Sequence, residues 1–258
     1  MSPLIALYTE LIYRPLLNGL VFIYASLPYA DLGLAIFVLT FGVRVFLHPL
    51  VLKAARSQRA MARVQPELAK LQERFGKNRE ELGRRTMELY RAAGVHPLSG
   101  CLPILVQLPV LIGLYQVFLT GIRLEDPALR YSFIPAVSSF ATRTFGLLDL
   151  TAPSFVVAIA AGLSRFLAAK FSSAVPPATG AAGDMQRALA WQMSYLLPIF
   201  IALISWRLPS ALAFYWTILN ALAIVENAWI SRRLESEHER HSRTSEPHPG
   251  EDGHPRRG

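Results

Sequence analysis

The sequence predicts an all-α polytopic membrane protein with five transmembrane helices, and three observations carry that reading. Of 258 residues, 52% are hydrophobic and only 17% charged, with mean hydropathy +0.33; a soluble domain is nearer a quarter charged. The apolar residues gather in five runs near membrane length, since ~20 residues at 1.5 Å rise cross a hydrocarbon core of ~30 Å. The net charge of +8 is concentrated: residues 53–91 hold eleven Lys and Arg against five Glu, while from residue 232 onward six face six. Such an excess in one inter-span segment marks that segment as cytoplasmic.

Residues 1–30 are apolar but broken by Glu10, Arg14, Pro15 and Asn18. This fits an amphipathic helix lying in the interface, with Tyr8, Tyr13 and Tyr24 at headgroup depth; a sixth, poorly formed span is the competing reading. Pro28 and Asp31 turn the chain into span 1, residues 31–53, which contains LGLAIFVLTFGVRVFLHPLVL. Residues 54–100 form the long polar region. Met61, Val64, Leu68, Leu71 and Phe75 are spaced as one helical seam, and Pro66 is expected to open a new helix with Glu67 in its first turn. Gly76 and Lys77 supply a turn, and Leu82, Thr86, Leu89 and Ala93 a second seam ended by Gly94 and Pro97. The whole predicts an antiparallel cytoplasmic helical hairpin.

Span 2 covers residues 101–122. Residues 123–153 are an external loop. Span 3 covers 154–171, with Arg165 and Lys170 near its cytoplasmic end, and 172–188 is a cytoplasmic loop. Spans 4 and 5 cover 189–208 and 211–231, with only Pro209-Ser210 between them, so they form a tight hairpin. Residues 232–258, rich in His, Arg, Glu and Pro, read as a disordered cytoplasmic tail. The N-terminus is then outside. Cys101 is the only cysteine, so no intramolecular disulfide can form. The N-terminus lacks the basic region of a secretory signal, which leaves targeting to the spans.

Polar residues inside the spans are the candidate functional set. Arg44 stands in the interior of span 1, where a cation costs at least ~2.5 kcal/mol on insertion scales. Thr40, Arg44 and His48 are four apart and share a helix face. Gln107 and Gln116 lie in span 2, Gln192 in span 4, and Asn220, Glu226 and Asn227 in span 5, and all should converge on the bundle interior. As interhelical glue each contributes only ~0.6 kcal/mol, which suits the uncharged residues. Arg44 is too costly for mere packing and reads as an attraction point in a wet, cytoplasm-open cavity, with Glu226 as its possible ion-pair partner.

Enzymatic readings find little to rest on. His48 has no nucleophile in an elbow motif, and no aspartate lies within the apolar runs. No His, Cys and Glu set has metal-ligand spacing, and no Gly-rich phosphate loop occurs. His238, His241, His248 and His254 fall in the tail. No cofactor and no nucleic-acid function is expected. The rival class is a small anion transporter or channel with Arg44 as its selectivity site, but no internal repeat supports it.

Several stretches together resemble the YidC/Oxa/Alb family of membrane protein insertases: TFGVR followed by HPL, QPELAKLQERF, LYRAAGVHPLSGCLPILVQLPVLIGLYQVF and LPSALAFYWTILNAL. The resemblance runs from about residue 13 to residue 234. It implies a bacterial inner-membrane insertase or chaperone with five helices around a hydrophilic groove, open to cytoplasm and lipid and closed outside. The groove arginine falls on Arg44 and its neighbouring threonine on Thr40. The substrate-contacting aromatic pair falls on Tyr215 and Trp216, and the next polar position on Asn220. Gln107, Gln192, His48 and Glu226 complete the expected groove, and Arg59, Arg63, Lys70, Arg84 and Arg85 are the expected hairpin contacts. Implied partners are nascent membrane proteins and the bilayer, with the Sec translocon and the ribosome as further candidates. Four departures stand out: HPL for the more usual YPL, Arg207 between the last two spans, Arg165 in the third, and Glu226 where glutamine is frequent. Neither a large periplasmic domain nor a long basic tail is seen, and the latter argues against autonomous ribosome docking.

Overall fold

The computed structural model describes residues 3–94, 102–119, 129–135, 137, 140–172, 187–188 and 190–245. Helix α1 (Pro3–Tyr8) passes through a π-helical turn (Thr9–Tyr13) into α2 (Arg14–Ser26). Helix α3 (Leu32–Phe75) is followed by α4 (Arg79–Ala92) and α5 (Leu102–Leu119). A two-stranded hairpin, β1 (Arg143–Thr144) and β2 (Leu148–Asp149), precedes α6 (Phe155–Lys170). A second π-helical turn (Gln192–Leu196) leads into α7 (Leu197–Ser205), and α8 (Ser210–Ser245) ends the described chain.

The two π turns share a cause. Pro15 and Pro198 each sit two residues beyond the turn, at the start of α2 and of α7. A proline inside a helix removes one N–H and crowds the carbonyl four residues back; widening the preceding turn relieves both. The widened bonds are seen directly, Arg14 N–H donating to Thr9 O and Leu197 N–H to Gln192 O.

Pro66 behaves otherwise. It does not open a helix: α3 runs unbroken for 44 residues through Pro49 and Pro66, about 66 Å of rod. One missing N–H leaves the flanking seam in place, with Val64 buried and α4 packed along α3. Asn78 caps α4 by accepting from Glu81 N–H at 3.2 Å, a signal legible as Asn-x-x-Glu. Gly94, at φ +63°, closes the turn after it, a conformation that glycine adopts without a Cβ clash.

α3 and α8 start at the end that carries the β-hairpin and run parallel away from it. Arg44 meets Glu226, Arg59 donates to Ser231 O at 3.1 Å, and Arg56 meets Glu237 at 3.1 Å. α8 is accordingly helical to Ser245, which corrects the reading of residues 232–245 as disordered. Buried Ile230 and Leu234, the Arg233–Glu237 pair along the helix and the α3 arginines stabilise an extension that composition alone does not support. Residues 246–258 lie outside the described residues, as does the run before span 2, residues 95–101.

The main core sits near the β-hairpin. Leu17, Leu20, Val21 and Tyr24 of α2 pack with Leu32, Ala35 and Ile36 of α3, Leu114 and Val117 of α5, and Ala211, Leu212 and Tyr215 of α8. Tyr24 is therefore buried within the protein, and its Oη accepts from Ala141 N–H at 2.6 Å. Asn18, which looks like a break in an apolar run, is a buried clamp: its amide donates to Leu129 O and accepts from Tyr131 N–H. In a second contact, α6 packs between α7 and α8, through Val157, Ala161 and Ala213.

Large apolar side chains cover the outside: Phe37, Phe41 and Phe46 of α3, Phe155, Val156 and Leu163 of α6, Phe200 and Leu203 of α7. A water-facing surface rarely carries so much apolar area, whereas a lipid-facing one requires it. Among the described residues, α3 and residues 210–237 of α8 are long and apolar enough to cross a membrane, and Gln107–Phe118 and Gln192–Ser205 are shorter apolar segments.

Asp31 organises the β-hairpin end. Its carboxylate caps α3 through Leu34 N–H (2.9 Å) and also accepts from Thr144 Oγ1 (2.5 Å) and Phe145 N–H (2.6 Å). These bonds hold Phe145 in a left-handed conformation, φ +52°, that a residue with a Cβ rarely adopts. Burial opposes ionisation of Asp31, but the donors from Thr144, Phe145, Leu34 and Gly33 outweigh it and hold the carboxyl below its usual value. A depressed folded-state value means stability present above the unfolded value of about 3.9 and lost as pH falls through the folded one. Thermal unfolding in detergent should therefore show Asp31→Asn well below wild type at pH 7, the gap closing as pH falls below 4. A gap independent of pH would assign the loss to shape alone.

Candidate functional site: a polar cluster between α3, α5 and α8

The cluster lies just beyond the apolar core, where α3 and α8 still touch. An α-helix brings every fourth residue onto one face, so Thr40, Arg44 and His48 descend α3 together. Glu226 projects from α8 and uses its two oxygens separately. Oε2 accepts from Arg44 Nη1 at 2.5 Å, and Oε1 lies 2.8 Å from His48 Nδ1. Arg44 Nη2 also donates to Leu219 O at 3.3 Å. The pair is largely withdrawn from surrounding solvent, with side-chain exposures of 19% for Arg44 and 12% for Glu226. Arg44 Nε is buried without a hydrogen-bond partner among the described residues. Of the three guanidinium nitrogens, Nε is therefore the one without an acceptor. The His48 ring meets the edge of Trp229, which in turn lies under the Arg233 guanidinium.

Above this ion cluster sit the uncharged residues. Thr40, 3% exposed, turns its hydroxyl back to Ile36 O at 2.6 Å. Gln107 Nε2 donates to Tyr215 Oη at 2.6 Å, and Asn220 Nδ2 donates to Ser164 Oγ at 3.1 Å. Thr40, Arg44, Gln107 and Tyr215, with Leu39, Val43, Val110, Leu114 and Leu219, line a cavity of about 10 Å³, room for roughly one water. The polar residues thus converge, but around a nearly filled space.

Not every expected groove residue joins them. Gln192 is exposed, on the π-helical turn before α7. Gln116 serves the N-terminal helix instead, accepting from Tyr8 Oη at 3.2 Å. Tyr215 joins the cluster through its hydroxyl alone, its 1% exposed ring belonging to the core, while Trp216 is half-buried against both apolar clusters. Ser164 was the member that sequence reasoning missed. Its signal, a lone serine in an apolar span, is weak until Asn220 is placed opposite.

Four of the five expected hairpin contacts already interact within the chain. Arg84 and Arg85 pair with Glu81 and Glu88 along α4, and Arg59 is held by Ser231 O and Glu235 of α8. Arg63 is not free either. Lys70 lines the open cleft between α3 and α4, beside Arg74 and opposite Arg85 and Glu88. Among the described residues no group of His, Cys, Asp and Glu side chains could hold a metal ion.

Comparison with known proteins places this arrangement. A family model described as 60Kd inner membrane protein matches residues 22–238. The chain is 33% identical over 203 residues to "Membrane protein insertase YidC" of Fusobacterium nucleatum, covering 79% of this chain and 87% of that one. It is 30% identical over 218 residues to the protein of the same name from Alkalihalophilus pseudofirmus, covering 82% and 77%. The Lawsonia intracellularis protein of that name is 34% identical over 226 residues, covering 87% of this chain but 39% of its own greater length. The polar residues gathered by α3 and α8 fall inside the matched stretch, and over that extent the chain belongs to the 60Kd inner membrane protein family, that of the YidC insertases.

Proposed function

We propose that the protein inserts other membrane proteins into the bacterial inner membrane through the polar cluster around Arg44, without hydrolysing anything. A nascent span approaches the α3–α4 hairpin from the cytoplasm, and its hydrophilic N-terminal segment enters between α3, α5 and α8, towards Arg44. A charge attracts more strongly in a low-dielectric site than in water, and residual water limits the gain to a few kcal/mol. Meanwhile the apolar part of the substrate moves along the lipid-facing surface of α6 and α8, near Trp216. Burial of about 20 apolar residues in lipid drives the process. In this reading five helices cross the membrane, with the N-terminus outside and the C-terminus in the cytoplasm. α1 and α2 lie at the outer interface.

The single observation that carries the proposal is Arg44 itself, a cation in an apolar run with one donor atom unused and a small cavity beside it, where Thr40, Gln107 and Tyr215 stand among apolar neighbours. The nearly filled cavity means that entry requires α3 and α8 to part locally, which replaces a few side-chain bonds at the edge of the apolar core, where Leu114 and Tyr215 line the cavity. Photo-crosslinkers at positions 40, 44 and 216 should capture a ribosome-stalled nascent membrane protein, and a crosslinker on the exposed face of α4 should capture it earlier in its synthesis. Capture at the α4 position alone would remove the intramembrane route.

A further inference from the structure

Glu226 is the feature that the proposed function does not use. An attraction point for acidic segments should offer a free cation, yet Arg44 already holds a carboxylate at 2.5 Å. The geometry is that of a carboxylate shared between two donors. Oε2 serves Arg44 and Oε1 serves His48, so one bond can be released while the other persists. Among the described residues, Arg44, His48 and Glu226 are the charged groups that meet here, with the Tyr215 hydroxyl across the small cavity and Arg233 one ring further off across Trp229.

We propose that Glu226 is a specificity-determining residue, an internal counter-anion that a substrate's carboxylate must displace from Arg44. This rests on the insertase reading above and deepens it. A single incoming carboxylate exchanges one ion pair for an equivalent one, so the Arg44 charge contributes little net attraction. The displaced Glu226 stays nearby, held through Oε1 by His48, and adds repulsion. A neutral polar tail meets a pair of zero net charge and is neither attracted nor repelled. The site is therefore weakly selective by charge at rest. A tail gains from Arg44 only when it brings more acceptors than Glu226 supplies, for instance a second carboxyl oxygen for the unused Nε.

The test uses the full chain in proteoliposomes and two single-span substrates that differ only in their N-terminal tails, one with aspartates and one with asparagines. The readout is the ratio of acidic-tailed to neutral-tailed insertion, which is independent of how much protein is correctly folded. Glu226→Gln, which keeps the size and one hydrogen bond but removes the charge, should raise that ratio about tenfold, a change within the coupling measured for close charge pairs. Glu226→Asp, which keeps the charge, should stay near wild type. An unchanged ratio in Glu226→Gln, with Arg44→Ala still depressing insertion, would overturn the counter-anion role and leave the insertase reading intact. Insertion of both substrates indifferent to Arg44→Ala would remove the Arg44 route and this proposal with it.

Discussion

Replacing Arg44 with alanine should reduce insertion of an acidic-tailed substrate by at least about tenfold and destabilise the protein as well. The two effects have separate causes. Removing one partner of a fully buried pair leaves the other charge uncompensated, at a cost of about 3–5 kcal/mol; the pair here is partly exposed, so the cost falls below that range, and Glu226 is the charge left behind. The substrate's carboxylates then meet an anion without the cation onto which they could exchange. Arg44→Lys should retain much of the activity if a point charge suffices, and lose it if two donors must grip one carboxylate. The double variant Arg44→Gln, Glu226→Gln decides between a structural and a functional role. Neither residue is then charged, so the melting temperature in detergent should recover most of the loss seen with Arg44→Ala. Insertion of the acidic tail should not recover. If it does, the pair is only a brace between α3 and α8.

A larger residue at Gly162 should break the packing that holds α7 to α6. A Cβ at this position would fall 2.8 Å from Ala202 Cβ and 2.9 Å from Pro198 O. The carbonyl belongs to backbone at the start of α7 and cannot rotate away. Close approach through small residues is how helices associate where lipid competes equally for apolar surface. Gly162→Leu should therefore cost at least the 1–3 kcal/mol typical of overpacking, visible as a lower melting temperature and faster proteolysis between α6 and α7. Gly42→Leu is the matched control, because a Cβ there has nothing within 4 Å. Equal loss in both variants would point to a general intolerance of bulk, not to the α6–α7 contact.

Neither effect is uniformly legible in the sequence. Arg44 was, because a charge in a 20-residue apolar run is conspicuous on any transfer scale. The spacing of Thr40 and His48 followed from helical periodicity alone, and the turn at Gly76-Lys77 from the change of seam. Gly162 was not, since nothing local shows which face of an apolar helix meets a neighbour.

The errors have the same origin. Pro66 and the charged tail after residue 231 were read by local rules that proline opens helices and that mixed charge leaves a segment disordered. Both segments are instead helical, along one length of α3 and α8. There Arg56 and Arg59 meet Glu237, Ser231 O and Glu235. Asn18 looked like a flaw in an apolar run until residues 129–131 supplied its partners.

By itself, then, the sequence determined that the chain is helical and membrane-directed, where its basic segment lies, and which residue of its first long span is anomalous. These follow from composition and from periods of a few residues. The sequence also offered Glu226, 182 positions away along the chain, as a possible partner of Arg44; only the tertiary structure decided that the two are bonded and that the second carboxylate oxygen is within reach of His48. Ion pairing in a low-dielectric interior acts over a few ångströms of space, so a sequence can name a candidate counter-charge but only the packing of α3 against α8 brings it within bonding distance.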